Sequence, residues 1–103
     1  MRIEKLLTAM MEYDHRDVPR IQHFVKVYEF ARMIGLMEGL DAKTQFTLES
    51  AAVVHDIGIH ISEQKYGSSS GKYQELEGPA EAKKLLDGLE WPADVTERVC
   101  YLV

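Results

Sequence analysis

Cysteine is almost missing from this chain: Cys100 is the only one in 103 residues. No internal disulfide can form, and the usage fits a reducing cytoplasm. Long apolar runs are missing as well, so no segment reads as a bilayer span and no membrane partner is expected. The N-terminal "MRIEKLLTAMMEYDH" mixes charges into its apolar positions, which excludes a secretory or transit signal. Positive charge is in deficit. Twelve Lys and Arg against 17 Asp and Glu leave a net charge of −5. That balance argues against nucleic acid as a bulk electrostatic partner, but leaves room for a small anion held by a local cation or a metal. Strand alternation and internal repeats are also missing, so an all-α fold is expected.

What the chain does have is helical spacing. Ile3, Leu6, Leu7, Met10 and Met11 recur at helical intervals and predict an amphipathic helix over Arg2 to Tyr13. After a break at "DHRDVPR", Asp17 caps and Pro19 opens a long second helix reaching about Glu38. Its polar stripe is narrow (Gln22, Lys26, Glu29, Arg32), which predicts a central helix packed on several others. Gly39 ends that helix, and Asp41 caps a third from Ala42 to Asp56, terminated by Gly58. The stretch "SEQKYGSSSGKYQELEG", residues 62–78, carries three glycines and a serine run with little apolar periodicity. It reads as a long surface loop. Pro79 then starts a fourth helix, and Asp94 with Glu97 forms a capping box for a fifth, Val95 to Val103. The expected architecture is one compact helical domain of about five helices. Residues 1–16 supply the first helix and turn, and residues 17–103 supply the core. The chain stops on the apolar "VCYLV". That ending suggests a last helix cut short, with apolar surface uncovered near Val99, Leu102 and Val103, and so a homodimer or aggregation-prone behaviour.

Four histidines are candidates for chemistry. His15 lies in a polar break and reads as a surface residue. His23 shares a helix face with Val27, Phe30 and Ile34, away from the polar stripe, and so points inward. A single histidine on such a face is more often a satisfied core residue than a ligand. His55 shares a face with Leu48, Ala51 and Ala52, whose small alanines let a neighbouring backbone approach closely. Asp56 follows at once. A carboxylate at a helix C-terminus is poorly placed beside the negative end of the helix, and a nearby cation reverses that penalty. On these residues alone the pair is either half of a metal site or a structural contact that closes the helix. His60, beyond Gly58, is read as facing water.

"IQHFVKVYEFA" followed by "AAVVHDIG" closely resembles the HD superfamily of metal-dependent phosphohydrolases. This all-helical family is named for its His-Asp doublet. The resemblance spans about residues 20–103, and "GKYQELEGPAEAKKLL" is similar to the next helix start in small bacterial members. It implies a first metal-binding histidine at His23 and a doublet at His55-Asp56. It further implies a divalent ion and water-mediated hydrolysis of a nucleotide or other small phosphate ester. The mixed imidazole and carboxylate ligands suit Mn, Fe, Co, Ni or Zn better than Ca, with Mg not distinguished. Asp56 is the candidate catalytic residue, orienting the attacking water. Arg20, one helical turn before His23, and Lys72, in the glycine-rich stretch, are candidates for holding substrate phosphate.

The chain also departs from the family pattern. The family's later aspartate has no counterpart, since no Asp follows Asp94. Some two-metal members carry a further histidine where this chain reads "LEGPA", with Glu77 in its place. Glu77 is either a further ligand or a cap for the helix at Pro79. Ile59-His60 stands where guanosine-polyphosphate hydrolases of the family have an acidic pair. The signature of the cyclic-dinucleotide subgroup is also missing. Three readings follow. The first is a phosphohydrolase. The second is a non-catalytic metal- or nucleotide-binding module with an incomplete site. The third is a helical interaction domain whose doublet is only structural.

Overall fold

The structure is a computed structural model in which residues 2–15, 17–68 and 70–103 are described. Six helices and no strand occur among these residues: α1 (Arg2–Tyr13), α2 (Val18–Met37), α3 (Ala42–Val54), α4 (Gly58–Tyr66), α5 (Gly71–Gly88) and α6 (Ala93–Leu102). The all-α expectation holds. The chain divides into two compact units, residues 1–53 and 54–103.

In the first unit α1 buries Ile3, Leu6 and Met10, as its amphipathic spacing requires. The caps are those expected from the sequence. The Asp17 carboxylate accepts from the Arg20 backbone N–H at 3.3 Å, with Pro19 in the first turn of α2. The Asp41 carboxylate accepts from the Thr44 N–H at 2.7 Å. These bonds satisfy amide donors that the first turn of a helix leaves open. Gly39 leaves α2 with a φ of +69°, the left-handed conformation that favours glycine. Where α2 meets α3, Gln45 donates to the Arg32 carbonyl at 3.1 Å and to the Glu49 carboxylate at 2.6 Å. That approach needs the missing side chain of Gly35, since a Cβ there would lie 2.2 Å from the Gln45 side-chain oxygen.

The inward face of α2 is narrower than expected. Phe24, Tyr28 and Gly35 are its only buried residues, whereas Phe30, Met33, Ile34, Leu36 and Met37 are exposed. The central-helix expectation therefore fails for its C-terminal half.

The second unit differs most from the sequence reading. α3 ends at Val54, and His55, Asp56 and Ile57 form a tight turn that leads directly into α4. Gly58 does not terminate a helix but begins one. The long loop expected over residues 62–78 is mostly helix, and only a short link joins α4 to α5. Ser69, in that link, and Arg16, at the boundary expected after the first helix, lie outside the described residues. Pro79 does not start a helix but sits inside α5. Asp94 does not hold the cap position expected of it. α6 starts at Ala93 after Pro92, so Asp94 lies within the first turn, where its carboxylate accepts from the neighbouring Val95 N–H at 2.9 Å. Val99, expected to be uncovered, is fully buried, while Tyr101 and Leu102 are exposed.

α5 packs on both α4 and α6. The core of this unit is Val54, Ile57, Ile59, Ala82, Leu86, Trp91, Val95 and Val99. α5 closes with paired backbone bonds: Trp91 N–H to Leu86 O at 3.0 Å and Glu90 N–H to Asp87 O at 3.0 Å. This is a Schellman ending, and the residue in the left-handed position is Glu90, at φ 59°, rather than the usual glycine.

Candidate metal centre

α3 delivers the chain to the His-Asp doublet. Ala51, Ala52, Val53 and Val54, its last turn, are all buried, and so is Ile57 just after the doublet. Apolar side chains thus anchor the turn from both sides. The two polar residues between them are left partly open, the His55 side chain 33% and the Asp56 side chain 26% exposed. Within the turn, His55 Nε2 and Asp56 Oδ2 stand 3.1 Å apart.

That separation fits two chemistries. A protonated Nε2 donates a hydrogen bond to the carboxylate at this distance. Alternatively, both atoms can be donors to one cation. With metal–nitrogen and metal–oxygen bonds of about 2.0–2.2 Å, two ligands at right-angled to tetrahedral spacing lie roughly 2.9–3.4 Å apart. The doublet therefore meets the distance requirement for two neighbouring vertices of a coordination shell. An imidazole nitrogen and a carboxylate oxygen are also a donor set suited to first-row divalent metals.

The remaining candidates are placed as follows. His23 is on α2, in the first unit, and is exposed rather than packed into a core. Its helix face is the one expected from the sequence, shared with Phe30 and Ile34, but that face is open. Arg20 is half-buried in the first turn of α2. Lys72 is exposed and belongs to the first turn of α5, not to a loop. His60 is half-buried on α4 rather than facing water from a loop. His15 is exposed, as expected of a surface residue.

Glu77 is neither a helix cap nor an open ligand. Lys65 Nζ lies 2.9 Å from one of its carboxylate oxygens, and the Tyr66 hydroxyl donates to the other at 2.8 Å. These two bonds hold the Glu77 carboxyl below the usual glutamate range, and the same contacts push Lys65 and Tyr66 up. The Tyr66 ring also stacks on Tyr73, with centroids 4.2 Å apart. This clamp between α4 and α5 escapes sequence reading because it joins residues whose pattern is that of one surface loop.

A further concavity, of about 320 Å³, opens between α5 and α6, where Lys83, Asp87, Thr96 and Cys100 are among its lining residues. Burial pushes the Cys100 thiol up, with the Asp87 carboxylate adding to the effect. The thiolate is disfavoured, so Cys100 is a poor nucleophile.

No protein-family model, curated protein or solved structure matches the chain. The functional reading therefore rests on its own residues.

Proposed function

We propose that this protein is an HD-type metal-dependent phosphohydrolase, acting on a nucleotide or another small phosphate ester. The observation that carries the reading is the His55 Nε2 to Asp56 Oδ2 pair, 3.1 Å apart and partly open to solvent. In this reading His23 joins the doublet as a third ligand. Each of the three side chains offers a donor atom of the right kind, an imidazole nitrogen or a carboxylate oxygen.

His23, His55 and Asp56 would hold a divalent ion, which would supply an acidified water and withdraw charge from a phosphoryl oxygen. The chain's own part is to position the reactants. His55 and Asp56 present their donors from a turn fixed by buried neighbours, so little ordering is needed on binding. The Asp56 carboxylate would orient the attacking water. Arg20 and Lys72 are proposed to hold the substrate phosphate through charge-assisted hydrogen bonds.

A second reading is a metal- or nucleotide-binding module without turnover. The engagement of Glu77 by Lys65 and Tyr66 favours it, because that carboxylate is spent on the α4–α5 clamp. A phosphatase screen with Mn²⁺ or Ni²⁺ separates the two. The hydrolase reading expects metal-dependent release of phosphate from a small ester, lost in Asp56→Ala. Metal binding without turnover supports the module, and turnover that survives in Asp56→Ala contradicts the assigned role of Asp56.

A further inference from the structure

The concavity between α5 and α6 holds about 320 Å³, at the lower end of the range for small-molecule sites. Lys83 and Asp87 line it from α5, and Ala93, Thr96, Glu97 and Cys100 from α6. Its wall is mostly apolar. Thr96 and Cys100 stand four residues apart on α6 and so share a face. They are its least exposed residues: Thr96 is 4% exposed and Cys100 half-buried, whereas the other four are exposed.

Thr96 is the unusual member. A threonine inside a helix commonly satisfies its hydroxyl by donating to the carbonyl four residues back. Thr8 does so to Glu4 at 2.9 Å, and Thr47 to Lys43 at 2.8 Å. Thr96 does not. Its backbone N–H bonds to the Pro92 carbonyl at 2.9 Å, but its buried hydroxyl meets no partner among the described residues. A buried hydroxyl left in that state is uncommon, because nothing replaces the water it gave up. Two χ1 rotamers are open to a helical threonine, and turning between them re-aims the hydroxyl. A polar group seated in the concavity can therefore supply the partner that the chain does not.

The charges narrow the choice of ligand. Lys83 Nζ and Asp87 Oδ2 pair with each other at 2.5 Å, and Glu97 leaves the lining negative in sum. Adding Glu81, Lys84, Glu90, Asp94 and Arg98, the nearest other charges along the chain, keeps that sign. A phosphate or carboxylate is disfavoured there. Deeper in, a hydroxyl and a thiol offer no counter-charge to any ion, so a charged group would be buried unpaired.

We infer that this concavity binds a small uncharged molecule with an apolar body and one hydroxyl or carbonyl group. Its polar group bonds to Thr96, and its body lies against Ala93 and Cys100. The inference does not rest on the metal reading, since it uses none of the same residues.

An NMR titration of the whole chain with p-cresol, from about 0.1 to 10 mM, tests it. Toluene supplies the same body without the hydroxyl, and 4-methylbenzoate supplies an anion in its place. p-Cresol should shift the Thr96 and Cys100 amides saturably, with an affinity at least about fivefold above that of toluene, the worth of one hydrogen bond. 4-Methylbenzoate should not saturate. The near-isosteric Thr96→Val should bind toluene as before and lose the preference for p-cresol. Cys100 is the only thiol. Its modification by uncharged N-ethylmaleimide in the parent should slow by at least about twofold when p-cresol is near saturation. No saturable shift at Thr96 and Cys100, or an unchanged rate of Cys100 modification, would overturn the site. A preference for p-cresol that is missing in the parent, or that survives in Thr96→Val, would overturn the role of Thr96. Binding of 4-methylbenzoate as tight as that of p-cresol would overturn the uncharged ligand.

Discussion

Gly58 and Gly78 meet backbone to backbone. A Cβ on Gly58 would lie 3.0 Å from both the Cα and the backbone nitrogen of Gly78, and 3.3 Å from the Gln74 carbonyl oxygen. All three are backbone atoms, so no rotamer change can relieve the contact. Only Gly39 and Gly67 among the glycines have a positive φ, so the need for glycine at position 58 is close approach and not an unusual backbone angle. α4 lies against α5 because Gly58 lacks a side chain; a Cβ on Gly78 would instead meet the Val103 side chain, at 3.2 Å.

Gly58→Ala should therefore lower stability by about 1–3 kcal/mol, the usual cost of forcing a methyl group into a packed contact. Gly71, at the start of α5, has open space where a methyl group would stand and should accept alanine with little or no loss. Urea denaturation of the two variants makes the comparison. Equal losses at both positions would contradict the close-contact account.

Glu90 offers the opposite experiment. It occupies the left-handed position of a Schellman ending at φ 59°. A side chain there carries a backbone penalty on the order of 1 kcal/mol that glycine escapes. Glu90→Gly should raise stability by up to about that amount, since glycine also loses more chain entropy on folding. Thermal and urea midpoints that fall in the variant would show that the Glu90 side chain supports the ending in some other way.

The Glu77 clamp predicts a pH dependence. Its folded-state carboxyl is held down by Lys65 and Tyr66, so its stabilising contribution is present above the unfolded glutamate range. That contribution is lost as pH falls through the lower folded value, from roughly pH 4 downward. Lys65 and Tyr66 are shifted upward, so their share holds through neutral pH and is lost only as strongly alkaline pH passes their folded values. Glu77→Gln should flatten the acid arm of a stability–pH profile by lowering stability around pH 7 by a modest amount, with variant and parent converging at low pH. An acid arm as steep as the parent's would remove Glu77 from the account.

What could be read from the sequence divides according to the range of the forces involved. The Asp17 and Asp41 caps are legible because a capping bond links residues three apart and so depends on local sequence alone. α4 was not legible. Its residues 63–66 are exposed, and it is fixed by the Gly58–Gly78 approach, the Tyr66–Tyr73 stack and the bonds to Glu77. Each of these depends on residues of α5. Pro79 misled because a proline is a good first-turn residue, yet here the helix runs through it. The His55-Asp56 pairing was legible from adjacency alone. The face of His23 was legible too, but not its exposure, since periodicity shows which residues share a side and not what covers them.

The central claim is that the doublet is a metal-binding pair. Metal content of the purified protein, with calorimetric titration of Mn²⁺ or Ni²⁺ into the stripped chain, tests it most directly. The account predicts about one ion per chain, with binding weakened at least tenfold in His55→Ala and in Asp56→Ala while far-UV circular dichroism is unchanged. A parent protein that takes up no transition metal, or a His55→Ala variant that binds as tightly as the parent, would contradict it.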